Sequence, residues 1–205
     1  MHCSFVSLSL RAVMKEVFSL IAIVLTLAAY FPYIQSIHLG QTRPHYFSWL
    51  IWGMTTLIVY LAQLQSGAGV GAWPVLLSGV ITFYIALQGF LKRADIEIKP
   101  IDYGFMAICM LSIPLWYFTA NPLWAVVIVT TIDVCGFVPT LRKAYASPEQ
   151  EDSRFYLIFL IRCGFVVLAL EAYSVTTVLF PLVVGVCCLL MVGLLYVKKG
   201  HPETS

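Results

Sequence analysis

The chain has 205 residues, 60% hydrophobic and 11% charged, with a mean hydropathy of +0.90. Soluble domains run nearer about 45–50% apolar and about 25% charged, so the composition excludes an ordinary soluble domain and points to an integral membrane protein with lipid as its surroundings. A formal net charge of +2 offers no basic surface for nucleic acid.

The opening "MHCSFVSLSLRAVMKEV" reads as a weak leader with no convincing small-residue cleavage site. Met1 and Met14 both fit as a natural start, since the first apolar run begins just after "MKE". A spanning helix needs about 20 mostly apolar residues. Seven segments meet that length: 17–37, 46–64, 70–91, 101–118, 122–141, 154–173 and 176–197. Backbone groups in lipid must bond within their own segment, so each is predicted to be a helix. Polar loops alternate with nearly uncharged turns, which lie near 65–69, 119–121 and 174–175. The N-terminus and these turns share one side, with Arg11 and Lys15 as its only strong cations. The opposite side holds Arg43, Lys92, Arg93, Lys99, Arg142, Lys143, Arg154, Lys198 and Lys199. The positive-inside rule places that basic side, with the C-terminus, in the cytoplasm and the N-terminus outside. The cell's inner, plasma membrane is the expected location.

Two prolines reveal an internal repeat. Pro32 and Pro139 are 107 positions apart, as are Pro74 and Pro181. The same offset aligns Tyr30 with Phe137, Trp49 with Tyr156, Trp52 with Phe159 and Trp73 with Phe180. Weak internal symmetry of this kind is frequent in transporters. The expected plan is 1–16 as a non-cytoplasmic leader and 17–91 as a first three-helix unit. A cytoplasmic loop and linker helix follow over 92–121, then a second unit over 122–197 and a cytoplasmic tail over 198–205. One linking span gives both units the same orientation, so the repeats are parallel.

The stretch "AAYFPYIQSIHLGQTRPHYFSWLIWG" resembles the PQ-loop motif, and "CGFVPTLRKAY" resembles its second copy. The resemblance to PQ-loop and SWEET-like (MtN3-type) transporters covers about 17–197. It implies an all-α fold of seven transmembrane helices in a 3+1+3 arrangement, and a small-solute transporter working by alternating access. The glutamine that defines the motif is absent from both copies, where Tyr33 and Thr140 follow the prolines. By the same resemblance Trp52 matches a helix 2 tryptophan that contacts sugar. Helix 3 lacks the companion asparagine and offers Ser78 and Thr82.

Three ionisable residues fall inside the expected spans: Asp133, Arg162 and Glu171. Each costs about 2.5–3.5 kcal/mol at a helix centre and needs a partner. Asp133 and Arg162 lie at equal depth on helices joined by one loop, about 15 Å from the cytoplasmic boundary. They are therefore expected to form an ion pair, either pinning two helices together or binding solute and protons. The offset of 107 sends Asp133 to Thr26 and Arg162 to Thr55. The expected solute site is thus Asp133, Arg162, Trp52, Thr55, Thr26, Thr56 and Ser78. Trp49, Trp52, Thr56, Tyr60 and Gln63 form one helical stripe facing a cavity. Pro32 and Pro139 are candidate hinges at a cytoplasmic gate, with helix termination as the blander reading. Pro74 and Pro181 belong to first helical turns, where proline is tolerated.

Other chemistry finds little support. "GAGVGA" at 67–72 lacks the Lys-Ser/Thr of a phosphate loop. His38 and His45 share a loop without further metal ligands, and the six cysteines show no paired spacing. No enzyme, cofactor or metal is expected. The expected function is transport of a sugar or similar small polar or amphipathic metabolite, facilitative or proton-driven. A monomer would suffice and a homo-oligomer stays open. The alternative is a non-transporting receptor or scaffold that uses Lys92, Arg93, Arg142 and Lys143 to bind a partner.

Overall fold

The computed structural model describes residues 2–40, 44, 46–92, 100–146, 148 and 151–200; side chains of 2–9, 101, 102, 139, 142, 143, 199 and 200 lie outside the description. Among the described residues seven α-helices follow in chain order: α1 (His2–His38), α2 (Tyr46–Gln65), α3 (Trp73–Leu91), α4 (Pro100–Thr119), α5 (Pro122–Ala146), α6 (Ser153–Ala169) and α7 (Val175–Gly200). A short 3-10 turn, Gly69–Ala72, leads into α3. No strand occurs among the described residues.

Among the described residues four helical stretches are long and apolar enough to cross a membrane: Leu10–His38, Tyr46–Gln65, Gly69–Leu91 and Val175–Lys198. Large apolar side chains stand outward on the bundle, among them Leu20, Phe31, Leu111, Leu182 and Leu190. Water would penalise such a surface and lipid would not, so the chain is consistent with an integral membrane protein. Tyr103–Thr119 and Pro122–Val138 are shorter apolar stretches.

Local sequence explains the helix ends. Asp152 caps α6, its carboxylate accepting from Arg154 N at 2.9 Å. Ser174 and Thr177 bond reciprocally at the start of α7. Pro74 opens α3, where its missing N–H has no helical use. Asn121 accepts from Leu123 N ahead of α5.

The structure corrects several boundaries. Residues 2–16 are helical and continuous with α1. The sixth helix ends at Ala169 and not at 173, because Leu170 turns to an extended conformation. Pro181 lies inside α7, well past its first turn. Helix α1 passes through Pro32, and the backbone of α5 stays helical through Pro139, so neither proline terminates its helix.

The main packed pairs are α1 with α3 and α6, α2 with α3 and α5, and α7 with α5 and α6; α4 lies against α5 and α2. Two apolar clusters fill the bundle. One includes Ala22, Ile58, Val75, Val126 and Phe180. The other includes Ala29, Ile37, Ile85, Phe159 and Met191. The polar groups described next lie between them along α1, α3 and α6.

Candidate functional site: a polar layer between the helix units

Arg162 is the largest fully buried side chain in the bundle, 1% exposed. Its Nε donates to Thr26 Oγ1 at 3.1 Å, and its Nη2 donates to Ser78 Oγ and to Pro74 O, both at 2.8 Å. The Phe159 ring, one turn earlier on α6, covers one guanidinium face at 4.9 Å. Thr26 and Ser78 are suited to this because each hydroxyl donates back along its own helix, to Ala22 O and Pro74 O. Their lone pairs are thereby left to accept from the arginine. Hydrogen bonds to a charged group contribute about 1.5–3 kcal/mol each. Three of them offset the insertion cost of one arginine.

Asp133 on α5 does not meet Arg162. Its Oδ1 accepts from Thr55 Oγ1 of α2 at 3.0 Å. The expected ion pair fails for a topological reason. Helix α7 packs against both α5 and α6, while those two helices are not among the packed pairs. Each charge is held instead by a threonine from the first half of the chain, Arg162 by Thr26 of α1 and Asp133 by Thr55 of α2.

The structure thus brings Thr26, Ser78 and Arg162 together, and separately Thr55 and Asp133. Trp52 joins the second group. Its indole lies against α5 at Gly136, where an added Cβ would stand 3.3 Å from Nε1. Thr56 joins neither. It faces Gly79 of α3, whose added Cβ would lie 3.6 Å from Thr56 Cγ2. The expected stripe on α2 therefore divides among several neighbours. Trp49 packs on Tyr30 and Tyr33 of α1, and Tyr60 packs on Trp73. Gln63 donates to Thr177 O at 2.7 Å.

Sequence reasoning did not select Pro74, Phe159 or Gly136. A mid-helix glycine three residues after Asp133 was the available signal for Gly136, since glycine there marks close approach. The carbonyl of Pro74 carries no side-chain signature at all.

Glu171 lies outside the helix, in a clasp at the end of the bundle that carries the short turns. Its carboxylate accepts from Val70 N at 3.0 Å, its own N–H donates to Ala68 O at 3.1 Å, and Ala172 N donates to Gly67 O at 3.1 Å. Gly67 and Gly69 adopt φ of +76° and +58°, which glycine allows without steric cost. The "GAGVGA" stretch thus does bind an anion through its backbone, and that anion is the chain's own Glu171. Ser19 donates to Val70 O at 2.7 Å, and Lys15 donates to Leu168 O and the Tyr173 hydroxyl at 2.7 and 2.8 Å. At the opposite end His38 Nε2 and the Tyr84 hydroxyl are 2.8 Å apart, and Lys92 donates to Ile37 O.

Among the described residues no three His, Cys, Asp or Glu side chains come together as a metal site. His45, and the side chains of Pro139, Arg142 and Lys143, lie outside the described residues, as does Arg93. The chain matches no family model, no curated protein and no solved structure.

Proposed function

We propose that the chain is a small-solute membrane transporter with seven spanning helices, its N-terminus outside and its C-terminus in the cytoplasm. Helices α1–α3 and α5–α7 are two parallel units joined by α4, a 3+1+3 plan like that of PQ-loop and SWEET-like proteins. They rock about the polar layer, exposing it to each side in turn.

The observation that carries this reading is the crossed pair of polar contacts. Thr26 and Asp133 are 107 positions apart, and so are Thr55 and Arg162. Arg162 with Thr26 and Thr55 with Asp133 are therefore the same contact with the units exchanged. The helix packing follows the same exchange. Helix α3 packs on α1 and α2 as α7 does on α5 and α6, and α1 with α6 answers α2 with α5. The ring pair Tyr30–Trp49 likewise answers Phe137–Tyr156, edge-to-face at 6.5 and 6.3 Å. In parallel-repeat transporters the solute site lies at mid-membrane between the repeats.

The clasp of Glu171 on 67–72 ties the units together at one end. Tyr33, Trp49, Trp52, Asp133 and Thr140 are each partly exposed. That combination suits a state open to the cytoplasm. The test is uptake into liposomes holding the purified chain, with sugars, nucleosides, amino acids and vitamins as solutes. A flux that Asp133→Asn lowers at least tenfold while the protein stays inserted supports the reading. No flux for any solute, or full flux in Asp133→Asn, overturns it.

A further inference from the structure

The two charges of the polar layer are not equivalent. Arg162 is sealed: three hydrogen bonds and one aromatic face come from its own chain. Asp133 sits deep among the helices yet stays partly exposed. Only its Oδ1 receives a hydrogen bond; Oδ2 has no donor among the described residues. Oδ2 is not among the buried polar atoms left without a partner, so it is open to a donor from outside the chain.

One aromatic ring stands near it, by way of Gly136. The indole of Trp52 occupies α5 at Gly136, one turn from Asp133 and on the same face. Trp52 lies outside both apolar clusters, while Trp49 and Tyr33 pack against the second. Trp49 meets it edge-to-face at 5.2 Å and 87°, and Tyr33 lies 5.1 Å from Trp49. All three rings are partly exposed.

We infer that this corner binds an organic cation, a protonated amine or a quaternary ammonium. The cation would sit against Asp133 Oδ2 and the faces of Trp52 and Trp49. Ring faces are negative and attract a cation within about 6 Å. An anion would be repelled by Asp133. A sugar needs free hydroxyl partners, and those of Thr26, Thr55 and Ser78 are already engaged by Arg162, Asp133 or their own helix. This deepens the transporter reading by naming the class of its solute.

The test is a binding titration of the purified full chain with choline and with 3,3-dimethylbutan-1-ol, its neutral isostere. Thermal stabilisation and tryptophan fluorescence are the readouts. Choline should raise the melting temperature by several degrees at millimolar concentration, and the isostere should not. Asp133→Asn should weaken choline at least tenfold. A second series, Trp52→Phe and Trp52→Leu, should weaken it progressively, and it keeps the test decisive if Asp133→Asn does not fold. Equal stabilisation by both probes, no stabilisation by choline, or choline affinity within twofold of the parent in Asp133→Asn overturns the cation site. Choline binding without flux into liposomes sinks the transporter reading and leaves the site standing. Flux of a neutral solute with no choline binding does the reverse.

Discussion

Thr55 Oγ1 of α2 donates to Asp133 Oδ1 of α5 at 3.0 Å, across 78 residues of chain. Its counterpart is Arg162 of α6 on Thr26 of α1, across 136 residues. Each contact joins a helix of the first half of the chain to one of the second, and neither joins the two charges to each other.

The arginine contact yields a prediction about stability. Thr26→Val keeps the volume but leaves the buried Nε–H without an acceptor. That loss costs about 1–3 kcal/mol. Arg162→Met removes the charge altogether, and Thr26 and Ser78 still donate to Ala22 O and Pro74 O. Replacing a buried charge by an apolar side chain of similar size is often neutral. The expected order, read as melting temperature in detergent, is Thr26→Val well below Arg162→Met. The opposite order would mean that the arginine contributes net stability.

The clasp gives a second prediction. A Cβ at Gly71 would stand 2.8 Å from Leu170 Cα and N, which are backbone atoms that cannot turn aside. Gly71→Ala should cost about 1–3 kcal/mol, as overpacking does. At roughly 2–4 °C per kcal/mol, melting falls by several degrees. Gly164 faces open space on α6, so Gly164→Ala should leave melting unchanged or raise it.

Locking the clasp tests the motion directly. A Cβ at Gly67 would lie 3.4 Å from Ala172 Cβ, close to the spacing of a disulfide, and the φ of +76° there strains a cysteine by about 1–2 kcal/mol. In the double variant Gly67→Cys, Ala172→Cys, oxidation should stop solute exchange across liposome membranes and reduction should restore it. Unchanged exchange after complete cross-linking would show that the clasp never opens.

Orientation is checked with fusion reporters. A green fluorescent protein on the C-terminus should fluoresce, and alkaline phosphatase there should stay inactive. The reverse outcome would contradict the side assigned by Arg43, Lys92, Arg142 and Lys198.

Much of this was legible in the sequence because lipid leaves the backbone little choice. The apolar runs at 46–64, 70–91 and 101–118 coincide with helical segments to within one residue at either end, taking 70–91 with the short turn before α3. Asp133, Arg162 and Glu171 stood out from composition alone, because a charge in an apolar run demands a partner. Depth was also readable, since rise per residue fixes the level of a side chain along a helix.

What the sequence could not give was the angle around the bundle. Depth is one coordinate, and the choice of neighbour needs two more. The sequence puts Asp133 and Arg162 at one expected level, but α7 packs against both of their helices, and each charge meets a threonine from the other half of the chain. The same limit hid the seat of Trp52 on Gly136 and the end of α6 at Ala169, where Glu171 leaves the helix for the glycine turn. Composition and periodicity determined that helices form and which residues they cannot leave unpartnered. Tertiary packing alone decided the partners, because those contacts join residues far apart in sequence.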